Sequence, residues 1–120
     1  MNITHVQLVT VPVSDHDRAK DFYVGTLGFE VVADQTMGDM RWLQVAPKGA
    51  ATSIVLHTSA PGGMTPGDSQ GLMLQTADID ADCARLSQAG AAVDGPNDPP
   101  WGRQATFTDL DGNGFVLSAG

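Results

Sequence analysis

The chain has 120 residues, of which 42% are hydrophobic and 17% are charged, a balance typical of one compact globular domain. Its formal charge is −8 and its six Lys and Arg residues are scattered, which argues against a nucleic-acid partner. The single cysteine, Cys83, excludes an intramolecular disulfide. No apolar run approaches the roughly 18 residues of a membrane helix, and the first residues lack the pattern of a secretion signal. We therefore expect a cytoplasmic protein with no membrane partner.

The first half of the chain predicts a βαβββ arrangement. Alternating apolar residues predict a strand over about 3–13, and either Ser14 or Asp15 is placed to cap a helix that Gly28 ends. Further apolar runs predict three more strands, over 29–33, 41–46 and 52–58.

The second half repeats this plan after a segment rich in Gly and Pro. Residues 59–69, SAPGGMTPGDS, predict a connector or a mobile flap between module one, 1–58, and module two, 70–120. Module two has a predicted helix from Asp78 that Gly90 stops, and its predicted strands lie at 72–76, 92–93, 104–108 and 115–118. The two halves match in the first strand, the helix cap, the helix length and the Gly that ends the helix, which indicates an internal duplication.

The segment Asp109–Gly114, DLDGNG, predicts a tight turn between two strands. Its acidic spacing lacks the remaining carboxylates of a calcium loop, so we interpret it as a turn only.

Together, the repeated plan, VSDHDRAKDFYVGTLGFEVV near the start and WGRQATFTDLDGNGFVL near the end resemble the vicinal oxygen chelate superfamily. That superfamily includes glyoxalase I, the bleomycin resistance proteins and the extradiol dioxygenases. The resemblance implies an α+β fold of two tandem βαβββ modules whose mixed sheets curl into a cup, with the helices on the convex side. It also implies a small-molecule site in the concavity and, commonly, a homodimer.

In enzymes of that superfamily a metal ion is usually held by four inward His and Glu side chains. The resemblance places those four positions on residues without donor atoms: Leu8, Val55, Gly71 and Val116. The chain has one glutamate, Glu30, just after the first helix, so no neighbouring Glu can take their place. We therefore expect no metal and no other cofactor, and we assign no catalytic residue.

Strand parity predicts which residues line the cup. His57 shares the parity of Val55 and is expected to face a ligand, His5 has the opposite parity, and His16 is expected to be solvated. Trp101 and Arg103 precede a strand. One interpretation is that they close the mouth of the cup, by stacking on a ligand or by pairing with an anion. The other is that Trp101 simply anchors a Pro-rich loop. The predicted ligand contacts are Leu8, Thr10, Trp42, Gln44, Val55, His57, Met73, Gln75, Trp101, Arg103, Thr106 and Val116.

These expectations favour a metal-independent binding protein that sequesters an aromatic, peptidic or cationic small molecule, as the bleomycin resistance proteins do. The alternative is a metal-dependent lyase, isomerase or dioxygenase of the glyoxalase superfamily that uses unusual donors such as His5 and His57. A third possibility is a structural or regulatory module with a vestigial cup.

Overall fold

The fold consists of two units, each built on one four-stranded mixed sheet. The computed structural model describes the backbone of residues 1–120 and the side chains of all of them except Pro61. The chain divides into Met1–Pro66, the first module, and Gly67–Gly120, the second module. Each has the element order βαβββ, so the predicted α+β class and the two tandem modules are confirmed.

The first module has the sheet order β1-β4-β3-β2, with β1 parallel to β4 and the other neighbours antiparallel. Asp15 caps its helix by accepting a hydrogen bond from the backbone N of Arg18 at 3.1 Å. The helix continues as a π-helical segment, Asp21–Thr26, before Gly28 turns the chain with a φ of 77°. The elements are β1 (Leu8–Pro12), α1 (His16–Lys20), β2 (Glu30–Met37), β3 (Met40–Ala46) and β4 (Ser53–His57).

The second module repeats this order as β5-β8-β7-β6, again with its first and last strands parallel. Asp78 caps its helix through the backbone N of Ala81 at 3.1 Å, as Asp15 does in the first module. No helix in the part of the chain that the structure describes is long and apolar enough to cross a membrane. The elements are β5 (Leu72–Gln75), α2 (Ile79–Gln88), β6 (Val93–Asn97), β7 (Gln104–Thr108) and β8 (Gly114–Ser118).

Two strand boundaries differ from the sequence prediction because pairing partners set strand length. The strand predicted from residue 3 begins only at Leu8, since its partner β4 begins at Ser53, directly opposite. β2 continues beyond the predicted residue 33 because it pairs with β3 as far as Met37 opposite Met40. Periodicity alone does not specify where a partner strand ends.

Each module has an aromatic contribution to its core. In the first, Tyr23 is fully buried, with Phe22 packed edge-on at 5.5 Å between ring centroids. In the second, Phe107 and Phe115 stack at 5.1 Å. Cys83 is buried in α2, and this burial raises the pKa of its thiol, which suits a structural role.

The end of the predicted connector is fixed to the turn that follows β7. Asn113 is 0% exposed, and its side-chain oxygen accepts hydrogen bonds from the backbone N of Gly67 at 3.0 Å and of Ser69 at 3.2 Å. Gly67 has a φ of 94°, and a Cβ atom there would lie 2.8 Å from the carbonyl oxygen of Asp111. Residues 67–69 are therefore held by the second module, and this part of the predicted connector is not a free flap.

Candidate ligand-binding site

Half of the predicted contact residues share one face of the first sheet. Thr10 and Gln44 both lie opposite Val55 in the strand register. The alternation of side chains along each strand then places the others on the same side. We call this the first face, and its predicted contacts are Leu8, Thr10, Trp42, Gln44, Val55 and His57.

A chain of side-chain hydrogen bonds crosses the first face. The indole Nε1 of Trp42 donates to the Oε1 of Gln44 at 3.0 Å, and the Nε2 of Gln44 donates to the hydroxyl of Ser53 at 2.8 Å. Trp42 and Gln44 are half-buried and Ser53 is buried. The amide of Gln44 thus fixes the orientation of the indole ring, and the aromatic surface is preorganised.

His57 completes this aromatic surface. Its ring meets Trp42 edge-to-face, with centroids 6.2 Å apart and planes at 83°. Its Nδ1 is buried and has no hydrogen-bond partner among the described residues. Buried polar atoms are usually satisfied, so this unpaired nitrogen is an exception among the polar atoms of the first face.

His16 is not solvated as expected from its place in the first helical turn. Its ring is half-buried, and its Nε2 donates to the carbonyl oxygen of Leu56 at 3.1 Å. Burial is the main cause that lowers the pKa of His16, and the neighbouring Arg41 lowers it further. The sequence pattern missed this contact because the two residues are 40 positions apart.

Four predicted contacts share a face of the second sheet. Met73 and Thr106 both lie opposite Val116, and Gln75 lies opposite Ser118. Met73 is 57% exposed, whereas Val55 in the first face is 1% exposed. We call this the second face, with predicted contacts Met73, Gln75, Thr106 and Val116; it is more open to solvent than the first.

Two cavities adjoin on the second module. The apolar cavity, of about 470 Å³, lies along β6, β7 and β8, and its lining includes Val93, Thr106 and Val116. The second cavity, of about 460 Å³, is lined by Pro99 and Ala105 as well as by Asn97, Asp98 and Gln104; we call it the polar cavity because its polar share is larger than that of the first. Both volumes lie within the range usual for small-molecule sites.

Asp94 and Thr106 line both cavities, and they lie directly opposite each other on β6 and β7. The sequence prediction did not include Asp94, because it ended the strand at residue 93. Asp94 shares the face of Thr106, a predicted contact, because the two residues pair across β6 and β7.

Trp101 and Arg103 lie just before β7, and their surroundings differ. Trp101 is 73% exposed, and its Nε1 donates to the Oε1 of Gln104 at 3.2 Å. Arg103 donates to Asp80 at 2.7 Å and to both oxygens of Asp98 at 2.8 Å, and these hydrogen bonds raise the pKa of its guanidinium. An anionic ligand at Arg103 would have to compete with two carboxylates; ligand contact by either residue stays a prediction.

A family model described as Glyoxalase/Bleomycin resistance protein/Dioxygenase superfamily matches residues 2–117. The chain belongs to this superfamily. The duplicated fold and the capped helices of both modules agree with the resemblance that the sequence motifs indicated.

The chain is also similar to individual proteins, among them two solved structures and one relative known from its sequence. Among solved structures, TnmS3, an antibiotic binding protein from Streptomyces sp. CB03234, is 60% identical with a TM-score of 0.92, covering 98% of this chain and 97% of that one. A superfamily member from Sphaerobacter thermophilus is 40% identical with a TM-score of 0.88, covering 98% of each chain. The uncharacterized protein YetH of Bacillus subtilis is 36% identical over 96% of this chain and 98% of its own.

The residues that the resemblance places at the superfamily's usual metal positions do not fit a metal ion. Leu8, Val55 and Val116 offer hydrocarbon side chains and Gly71 offers none. In the described part of the chain, no three His, Cys, Asp or Glu side chains group closely enough to hold a metal. His5, one of the unusual donors considered above, is exposed before β1 with its Nδ1 2.9 Å from the hydroxyl of Thr4.

Proposed function

We propose that the chain is a metal-independent binding protein that sequesters an aromatic, peptidic or cationic small molecule. The observation that carries this proposal is its similarity, over almost its whole length, to an antibiotic binding protein of the same superfamily. Sequestration requires shape, apolar surface and a few polar contacts, and it requires neither a Lewis acid nor a general base.

The geometry of the first face supports the aromatic part of this proposal. Trp42 presents an indole ring whose orientation is fixed by Gln44, and the ring of His57 meets it edge-to-face. A flat ring system is complementary to such a surface.

We also propose a homodimer, as the superfamily resemblance implies. Light scattering coupled to size exclusion measures the mass of the particle, which is 12.5 kDa for one chain. A monomer at all concentrations tested would contradict the dimer without affecting the binding proposal.

The binding proposal is tested with the purified full-length chain and a panel of aromatic, peptidic and cationic antibiotics. A compound at 100 times its dissociation constant stabilises a protein by about 2.7 kcal/mol, which a thermal-shift assay detects readily. Hits are confirmed by quenching of tryptophan fluorescence. Quenching is expected to persist in Trp101→Phe, where Trp42 still reports binding, and to be lost in Trp42→Phe; quenching that persists in Trp42→Phe would assign a contact to Trp101.

Two further measurements separate sequestration from metal-dependent catalysis. Elemental analysis of the purified protein is expected to show no stoichiometric metal, and Zn, Ni, Mn or Fe(II) is expected not to raise the melting temperature. Expression in a sensitive bacterium is expected to raise the inhibitory concentration of each compound that binds. Stoichiometric metal, or a screen with no hit, would overturn the proposal.

A further inference from the structure

We propose that Asp94 is the cation-binding anchor of the second module, selecting compounds in which a protonated amine links an apolar ring system to a polar arm. This inference deepens the proposed function and rests on it, because it specifies the chemistry of the compound bound.

The location of Asp94 is the first support. It lies on β6 opposite Thr106, and these two residues line both the apolar and the polar cavity. A group bound to its carboxylate is therefore at the junction of the two cavities. A compound that occupies both must pass this junction.

The charge of Asp94 is the second support. Its carboxylate is exposed and makes no hydrogen bond or ion pair with any residue that the structure describes. By contrast, Asp98 in the polar cavity is paired with Arg103 at 2.8 Å. Asp94 thus presents a negative charge without a protein counter-charge, and a cationic ligand would supply one.

The unlike linings of the two cavities define the rest of the compound. The partly exposed Val93 and Val116 favour an aromatic or aliphatic ring body in the apolar cavity. Asn97 and Gln104 offer amide donors and acceptors in the polar cavity. The net charge of −8 adds a long-range attraction for cations.

The test uses two matched probes, 2-naphthylmethylamine and 2-naphthylmethanol, which differ in charge but hardly in shape. Each is titrated into the ¹⁵N-labelled full chain at millimolar concentration, and the backbone amide shifts of Asp94 and Thr106 are followed. Because an exposed ion pair contributes little binding free energy, we expect the amine to bind only about two- to fivefold more tightly than the alcohol. This preference should decrease as NaCl is raised.

The variant pair is Asp94→Asn and Asp39→Asn. Both remove one negative charge, but Asp39 lies in the exposed turn between β2 and β3. The preference for the amine should disappear in Asp94→Asn and persist in Asp39→Asn. Equal binding of both probes to the native chain, an unchanged preference in Asp94→Asn, or no shift at Asp94 and Thr106 would each overturn the anchor.

Failure of the anchor is distinguishable from failure of the proposed function. An antibiotic from the panel that binds equally to the native chain and to Asp94→Asn overturns the anchor and leaves sequestration intact. Amine selectivity at Asp94 with no hit in the antibiotic panel supports the anchor and removes the sequestering function.

Discussion

Arg41 and Arg103 make equivalent ion pairs in the two modules. Each guanidinium joins an acid two residues after the helix N-cap to a second acid nearby: Asp17 and Asp34 for Arg41, Asp80 and Asp98 for Arg103. The distances lie between 2.7 and 2.9 Å in both cases. Because the contact is duplicated along with the fold, it favours a structural role for Arg103 over a role in binding an anion.

Replacing Arg103 tests this interpretation. We expect Arg103→Gln to lower the melting temperature by a small amount and to change the affinity for a bound compound by less than about twofold. Lys48→Gln, an equal charge change in an exposed turn, is the control and should leave the melting temperature unchanged. Lost binding with an unaltered melting temperature would instead assign Arg103 to the ligand site.

Gln44 is expected to matter for both stability and binding. Gln44→Ala removes the partner of the Trp42 indole and of the buried Ser53 hydroxyl, and should cost about 1 to 2 kcal/mol of unfolding free energy. Gln75→Ala on the exposed second face is the matched control, with an expected change within about 0.5 kcal/mol. Urea unfolding measures both, and equal effects would refute an ordered Trp42.

Asn113 is expected to be the most sensitive polar residue of the second module. Asn113→Ala leaves the backbone N–H groups of Gly67 and Ser69, and one oxygen of Asp109, without this partner. We expect a loss of about 2 to 4 kcal/mol in urea unfolding. Asn97→Ala, at an exposed position, is the control, and its unfolding free energy should differ from that of the native chain by no more than about 0.5 kcal/mol. A similar small change at Asn113 would show that the turn does not hold the connector.

Stability is expected to fall as the pH is lowered, in part through His16. Its pKa in the folded chain is below the ordinary value of about 6.5, so the unfolded chain binds more protons around and below that pH. The contribution of His16 is therefore fully present above pH 6.5 and is lost progressively on acidification.

Urea unfolding at pH 7.5, 6.5 and 5.5 measures this dependence. His16→Gln should show a shallower loss of unfolding free energy than the native chain. His5→Gln, at an exposed position before β1, should keep the native profile. If the native chain and His16→Gln have the same slope, His16 is not protonated on unfolding in this range.

Local patterns predicted most of the architecture because they act over short distances. Caps such as Asp15 and Asp78 bond to nitrogens three residues away, and Gly28 and Gly90 have the positive φ that ends a helix. Strand alternation likewise placed Thr10, Gln44 and Val55 on one face, as their register shows.

What the sequence did not predict depends on partners far along the chain. The start of β1 is set by β4, the burial of His16 by the carbonyl of Leu56, and the order of residues 67–69 by Asn113. Asp94 was missed for a related reason, since the extent of β6 follows from its pairing with β7. Contacts of this kind have no signature within a short window of sequence.

The unequal exposure of Val55 and Met73 has an evolutionary consequence. Substitutions at solvent-exposed positions usually change stability little, whereas substitutions in a buried hydrogen-bonded face are costly. The second copy of the duplicated module is therefore expected to accept changes, at positions such as Met73 and Thr106, more readily than the first copy. Within one fold, the first copy is therefore expected to change slowly at its hydrogen-bonded face, while the second copy has more freedom to vary.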